Sequence, residues 1–312
     1  MSFRFTLASD REFDVVGFGT NAVDFLIQVP HYPAFNSKIA LSSYTRSPGG
    51  EIASTLVGLA RLGFSTCYVG RFGSDDAGKI GYESLELAGV SLRFAEFVDD
   101  TPNQIAFILI DEHSGERTVI WQRDKRLGYA PGEPPLESAA LGRILHLTPH
   151  DLAACIEMAA AARATQTIVS ADIDRVVDGI AELLPLIDVL ITSSEFLPDF
   201  TGIEDHRKSL REISRQFENS VVGVTLGRAG SLIYANGAFV ESMGFEAPGG
   251  CRDTTGAGDA FRAGLLSGIL SGRSIEDASH EANAVASLKC RAVGARSSLP
   301  TRAELNALLK NT

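Results

Sequence analysis

The stretch Val15-Val16-Gly17-Phe18-Gly19-Thr20-Asn21-Ala22-Val23-Asp24-Phe25-Leu26-Ile27-Gln28-Val29-Pro30 decides the fold, because its two halves point to different architectures. An apolar strand running into Gly17-Phe18-Gly19-Thr20-Asn21-Ala22 matches the dinucleotide pattern G-x-G-x-x-G/A, in which a helix must open directly behind the glycines. No helix follows here. Val23 to Val29 alternates like a strand and ends at Pro30 and Pro33, a context that argues against a dinucleotide-dependent oxidoreductase. The first half is then a buried strand, and the second starts a β insertion with Asp24 at its mouth. By spacing alone Asp24 is a solvated edge residue; its functional alternative is a carboxylate that accepts hydrogen bonds from substrate hydroxyls.

Short apolar runs alternate with helical patterns along the rest of the chain: a helix over 52–63, a run at 67–70, a helix over 77–89. The rhythm resumes with Ile144-Leu145-His146-Leu147, a helix ending near 164, and runs at 167–170, 189–191 and 221–225. Such βαβ repetition predicts an α/β fold, a doubly wound and mostly parallel sheet flanked by helices. Residues 20–46 and 96–124 break the rhythm; in the second, strands at 105–110 and 117–121 bracket the turn Glu112-His113-Ser114-Gly115. These two insertions are expected to pair into a small β-sheet lid over the carboxyl edge of the main sheet. The expected division is therefore a discontinuous α/β domain of residues 1–19, 47–95 and 125–312, with the lid from 20–46 and 96–124. Glycines and prolines at 128–135 mark a loop near the lid's return.

The chain has 312 residues, ample for a core that needs no disulfide, and 39 acids against 28 bases give a formal charge of −11. That excess repels nucleic acid and anionic membrane, so an anionic ligand must be held locally. Cys67, Cys155, Cys251 and Cys290 stand far apart with no metal-ligand spacing, as reduced thiols of a cytoplasmic protein would. Met1 to Phe13 lacks a signal-peptide core, and no apolar run reaches membrane-spanning length.

The chemistry concentrates in Asp253-Thr254-Thr255-Gly256-Ala257-Gly258-Asp259-Ala260-Phe261. Glycines before an apolar helical run let backbone amides crowd onto a phosphate at a helix N-terminus. Asp259 reads either as a helix cap or as a base beside that cradle. Asp253, Thr254 and Thr255 add hard oxygen ligands suited to a cation. Ser47-Pro48-Gly49-Gly50 before the first helix repeats the glycine device, and Thr225-Leu226-Gly227-Arg228-Ala229-Gly230 ends a strand in a turn that suits a nucleotide phosphate or a plain reversal. No P-loop pattern G-x-x-x-x-G-K-[ST] and no G-x-S-x-G elbow occurs.

Together these segments resemble the ribokinase-like, phosphofructokinase-B-type (PfkB) carbohydrate kinases over nearly the whole chain. Gly49-Gly50 before a helix ending Ala60-Arg61-Leu62-Gly63 looks like that family's first signature, and residues 253–259 look like its second. The segment 70–78, the turn Gly115-Glu116-Arg117-Thr118 and the strand end Thr225-Leu226-Gly227 also fall where the family has similar residues. The resemblance implies an ATP- and Mg²⁺-dependent kinase of a sugar hydroxymethyl group. In it Asp259 takes the hydroxyl proton, while the amides of Gly256, Ala257 and Gly258 hold the migrating charge. It implies substrate contacts at Asp24, Gly49, Gly50 and the Ser54 position, and nucleotide contacts at Thr225, Gly227, Asn283 and Gly294. It further implies a monovalent cation, K⁺, on Asp253, Thr255, Ala292, Gly294 and Ser298.

Two departures stand out. Ser54 occupies the place of the family's asparagine, with shorter reach and one donor instead of two. The family's Asn-x-x-Glu motif falls on Ser193-Ser194-Glu195-Phe196, so the acid that organises Mg²⁺ is Glu195 or is missing. Alternatives are a nucleoside kinase, for which Phe25, Phe107 and Trp121 could stack a base, and a sugar-binding protein without turnover. Asp172-Ile173-Asp174-Arg175 reads as a surface ion pair or a substrate contact. The alternating strand at 105–110 suggests a sheet edge that a second subunit covers in a homodimer.

Overall fold

The computed structural model describes residues 1–310. In chain order the elements are β1 (Phe13–Phe18), β2 (Ala22–Val29), β3 (Ser43–Gly49), α1 (Glu51–Arg61), β4 (Thr66–Gly73), α2 (Asp76–Leu87) and β5 (Ser91–Val98). There follow β6 (Ile105–Asp111), β7 (Arg117–Gln122), α3 (Leu136–Ala139), β8 (Gly142–Leu147), α4 (Leu152–Ala164), β9 (Ile168–Ile173), α5 (Ile180–Leu183), β10 (Val189–Thr192) and α6 (Phe196–Thr201). The chain continues with α7 (His206–Phe217), β11 (Val221–Thr225), β12 (Ser231–Ala235), β13 (Ala238–Ser242), α8 (Ala257–Leu270), α9 (Ile275–Lys289) and α10 (Arg302–Leu309).

Nine strands form one sheet in the order β13-β12-β11-β10-β9-β8-β1-β4-β5, parallel from β5 through β11 and antiparallel at β12 and β13. Its strands are apolar on both sides because both sides are covered. Val15, Tyr68, Val189 and Val221 point into a core built with α1, α8, α9 and α10. Their neighbours Val16, Val69, Leu190 and Val222 point into a second core built with α4, α5 and α7. Side-chain caps set the helix starts: Asp75 accepts from Gly78 N at 2.9 Å, Ser274 from Asp277 N at 3.1 Å, and Thr301 with Glu304 forms a reciprocal box.

The second sheet has four strands in the order β3-β2-β6-β7. Its β2 and β6 run parallel, so two insertions far apart in sequence build one sheet. The strand expected at the sheet's edge, residues 105–110, is interior: β6 lies between β2 and β7, and the edges are β3 and β7. Strand β3 continues to Gly49 and β5 of the large sheet to Val98, past the expected divisions at 46 and 95. Pairing register puts Asp24, Leu26, Ala106, Ile108, Val119 and Trp121 on one face of the small sheet, and Phe25, Phe107 and Ile120 on the other. The turn between β6 and β7 docks on the body, since Gly115 O accepts from both Thr254 N and Thr254 Oγ1 at 3.1 Å.

Helices α8 and α9 approach closely because glycines line their seam. A Cβ on Gly264 would lie 2.6 Å from Ala282 Cα, and one on Gly268 2.6 Å from Ala278 Cβ. Gly264→Val is expected to lower unfolding free energy by about 1–3 kcal/mol through overpacking, measured by urea denaturation.

Candidate active site

The N-terminus of α8 is fixed from both sides. Gly256 caps it with φ 75°, and a Cβ there would sit 2.9 Å from the Cα and O of Ala295, so only glycine fits. Ala257 and Gly258 open the first turn, where backbone amides have no partner inside the helix. Asp259 lies in the same turn, and the carboxylate-bearing residue lines the cleft. Just upstream, fully buried Asp253 ties three segments together: Oδ1 accepts from Thr255 N at 2.8 Å, Oδ2 from Gly294 N at 2.7 Å, and its carbonyl from Lys289 Nζ at 2.8 Å.

The cleft has a volume of about 1310 Å³ and runs between the small sheet and the carboxyl ends of the large one. Asp24, Ala106, Ile108, Val119 and Trp121 wall it on the lid side, and Gly50, Asp172 and Asp259 lie on the body side. At the other end stand Thr225, Gly227, Asn283 and Ser287. Asn283 Nδ2 is occupied by Ser231 Oγ at 3.0 Å, Ser279 O at 3.1 Å and Ser242 O at 3.2 Å, so it braces β12 and β13 against α9. The buried hydroxyls of Thr255 and Ser287 line the cleft with no hydrogen-bond partner in the protein. Unpaired buried hydroxyls are costly, and a polar ligand in the cleft would satisfy them.

The pfkB family carbohydrate kinase model matches residues 14–302. The chain belongs to this family. It is 26% identical to a nucleoside kinase of Methanothermobacter thermautotrophicus, across 96% of this chain and 95% of that protein. It is 28% identical to an ATP-dependent ribose-1-phosphate kinase of Halopiger xanaduensis, across 92% of this chain and 94% of the relative. Among solved structures, Arabidopsis thaliana ribokinase complexed with ribose and ATP superposes with a TM-score of 0.77 at 25% identity, covering 96% of this chain and 99% of that one. The fold is the ribokinase fold, and this pfkB member is a carbohydrate kinase of the sugar- and nucleoside-phosphorylating type.

Several family positions sit elsewhere than on the cleft wall. Gly49 lies beneath Asp24, where any Cβ would collide with the carboxylate, while Gly50 does line the cleft with φ 91°. Ser54 is fully buried, its Oγ accepting from Arg296 Nε at 3.2 Å. The same guanidinium donates to Gly49 O and, at 2.7 Å, to Ser84 Oγ. Arg296 thus fills the volume that Ser54 leaves, a substitution invisible until distant segments are brought together. Gly294, φ 104°, packs against Ser47 and Leu26 of the lid and does not line the nucleotide end. Ala292 is half-buried beside it, and Ser298 Oγ donates to Lys289 O. Glu195 is exposed at the start of α6, off the cleft; Ser193 is the residue of that segment on the wall. Phe25 and Phe107 stack on each other at 4.9 Å on the lid's outer face, so of the three aromatics expected to stack a base Trp121 alone lines the cleft, which Phe245 and Phe261 also line from the body. Asp172 is no surface ion pair: it is buried and bonds Arg262, whereas Arg175 lies over Trp121 at 5.1 Å.

Acids outnumber bases along the cleft wall. Burial, then the charges of Asp172 and Glu51, hold the Asp259 carboxyl well above its usual range; Arg262 and Arg117 pull the other way. Burial pushes Asp24 up to about 7, with Arg296 opposing. Burial also pulls the Lys289 amine below its ordinary value, and Asp253 opposes that. Glu51 stays low despite burial because His150 Nε2 lies 2.8 Å from it. Asp24 has a raised folded pKa, so the folded state binds its proton more tightly than the unfolded one, and this contribution to stability fades as pH rises from about 4 to about 7. Unfolding free energies of wild type and Asp24→Asn measured from pH 4 to pH 8 should diverge, with the wild type losing ground as pH rises; parallel profiles would contradict the assignment.

Proposed function

We propose that this chain transfers the γ-phosphoryl group of ATP to a hydroxymethyl group of a monosaccharide, with Asp259 as general base and the amides of Gly256, Ala257 and Gly258 as anion hole. One observation carries the reading: a carboxyl with raised proton affinity sits in the first turn of α8, beside the backbone amides of the glycine cradle, of which Ala257 N donates to Thr254 O at 3.0 Å, in the cleft that Asp24 enters from the lid. A base must bind the proton it removes, and burial with neighbouring carboxylates raises the proton affinity of Asp259. Phosphoryl transfer otherwise needs positioning and charge stabilisation, which the amides and the buried Arg262 supply.

The nucleotide is assigned to the end marked by Thr225, Gly227, Asn283 and the unpaired Thr255 and Ser287 hydroxyls. Among the described residues no three His, Cys, Asp or Glu side chains converge as a metal cage, and Glu195 is exposed and does not line the cleft. Mg²⁺ would enter with the nucleotide phosphates and would neutralise charge there. A nucleoside as acceptor is the second reading, favoured by Trp121 on the inner lid face, edge-on to His150 at 6.0 Å. In this reading too, Asp24 receives the acceptor's hydroxyls.

The proposal of a homodimer through the lid is supported by the outer face of the small sheet, where Tyr44, Phe107 and Ile120 are 52%, 41% and 59% exposed around Phe25. The free thiols, the acidic surface and the lack, among the described residues, of a helix able to cross a membrane accord with a cytoplasmic enzyme.

ADP release with Mg²⁺ and ATP across pentoses, hexoses, ketoses, sugar acids and nucleosides tests the reading and names the acceptor. On that acceptor, Asp259→Asn should lower kcat by about 10²- to 10⁴-fold with KM little changed; wild-type turnover in the variant would remove Asp259 from the mechanism. Light scattering after chromatography should give a dimer for wild type and a monomer for Phe107→Glu, and a wild-type monomer would end the lid-dimer proposal.

A further inference from the structure

Asp253, the one carboxylate among the residues expected to hold K⁺, already has a cation beside it. Asp253 and Lys289 are both fully buried, and Lys289 Nζ lies 2.8 Å from the Asp253 carbonyl and 3.9 Å from its Oδ2. Both Asp253 carboxylate oxygens are already acceptors, from Thr255 N and Gly294 N, and Ser298 Oγ is turned to the Lys289 carbonyl. A metal ion on these oxygens would stand within a few ångströms of the ammonium in a site without water, where repulsion between like charges is strong. The residues present therefore do not fit a monovalent cation.

We propose that the Lys289 ammonium is a built-in replacement for that ion, so that this kinase works without K⁺. Lys289 is the last residue of α9, and its bond to the Asp253 carbonyl holds the segment that leads into the cradle. Asp253 passes the constraint on, one carboxylate oxygen to Thr255 next to Gly256 and the other to Gly294 next to Ala295. Gly256 and Ala295 are themselves in close contact, so both walls of the cradle are set from one charge pair. A tethered ammonium delivers the positive charge a diffusible ion would, at an occupancy independent of cell composition. Lys289 is a positioning residue, since it is absent from the cleft wall.

The inference rests on the kinase reading for its activity arm and is independent of it for its stability arm. Wild-type thermal midpoints and turnover are measured in KCl, NaCl and tetramethylammonium chloride at equal ionic strength, and the same series is run on Lys289→Gly. Wild type should be indifferent to the cation in both readouts. Lys289→Gly should lose at least tenfold in turnover in tetramethylammonium, and K⁺ or NH₄⁺ should restore part of it and raise the midpoint where tetramethylammonium does not. A K⁺-specific rise in wild-type midpoint or turnover overturns the proposal, as does a folded Lys289→Gly that ignores the cation. Should that variant not fold, the wild-type series decides alone. Should no acceptor be phosphorylated, the midpoints still report on the cation site while the kinase reading fails separately.

Discussion

A single buried carboxylate organises the reactive end of this molecule. Asp253 holds one amide on each of its oxygens, from Thr255 and from Gly294, and its own carbonyl receives the Lys289 ammonium. A buried charge is tolerated only when paired and hydrogen-bonded, and here each of those bonds fixes a different stretch of backbone. The cradle before α8, the turn after α9 and the C-terminus of α9 are thereby locked in one geometry. Preorganised amides stabilise developing charge because they need no rearrangement when it appears.

The lid is coupled to this knot. Gly115 in the β6–β7 turn accepts two hydrogen bonds from Thr254, and Arg228 beyond β11 donates to Ser114 O at 3.2 Å. Leu26 and Val293 pack together beneath the small sheet, beside Gly294. Asp24 is therefore presented to the cleft by a sheet anchored at the nucleotide end. On the proposed reading, the same contacts that shape the glycine cradle would bring acceptor and donor together, which suits a reaction dominated by positioning.

Much of this was legible in the chain. Local backbone demands leave local marks: Gly256 and Gly50 need positive φ, the buried strands are unbroken apolar runs, and β2 alternates where a nucleotide-binding helix would otherwise stand. The family signatures located Asp259, Asp24, Thr225 and Gly227, and all four line the cleft. What pattern could not reach was the choice of partners across the chain. Arg296 and Ser54 meet 242 positions apart, so no spacing rule exposes that Ser54 faces a guanidinium and not the cleft. The segment at 105–110 reads as an edge because its alternation is that of any half-exposed strand, while its interior place comes from pairing with β2, an insertion some eighty residues earlier.

The sequence by itself determined the fold class, the two β insertions and the acid at the start of α8, because periodicity, glycine conformation and helix-end chemistry act over a few residues. The tertiary structure alone decided which charges are buried together. Lys289 ends an apolar helical run and by local rules is a surface lysine favouring a helix C-terminus. Only the packing of α9 against the Asp253 segment removes its water and leaves a carbonyl and a carboxylate as its surroundings. Burial is a property of the assembled whole, and with it come the raised proton affinity of Asp259, the Asp172–Arg262 pair and the cation already present beside the cradle.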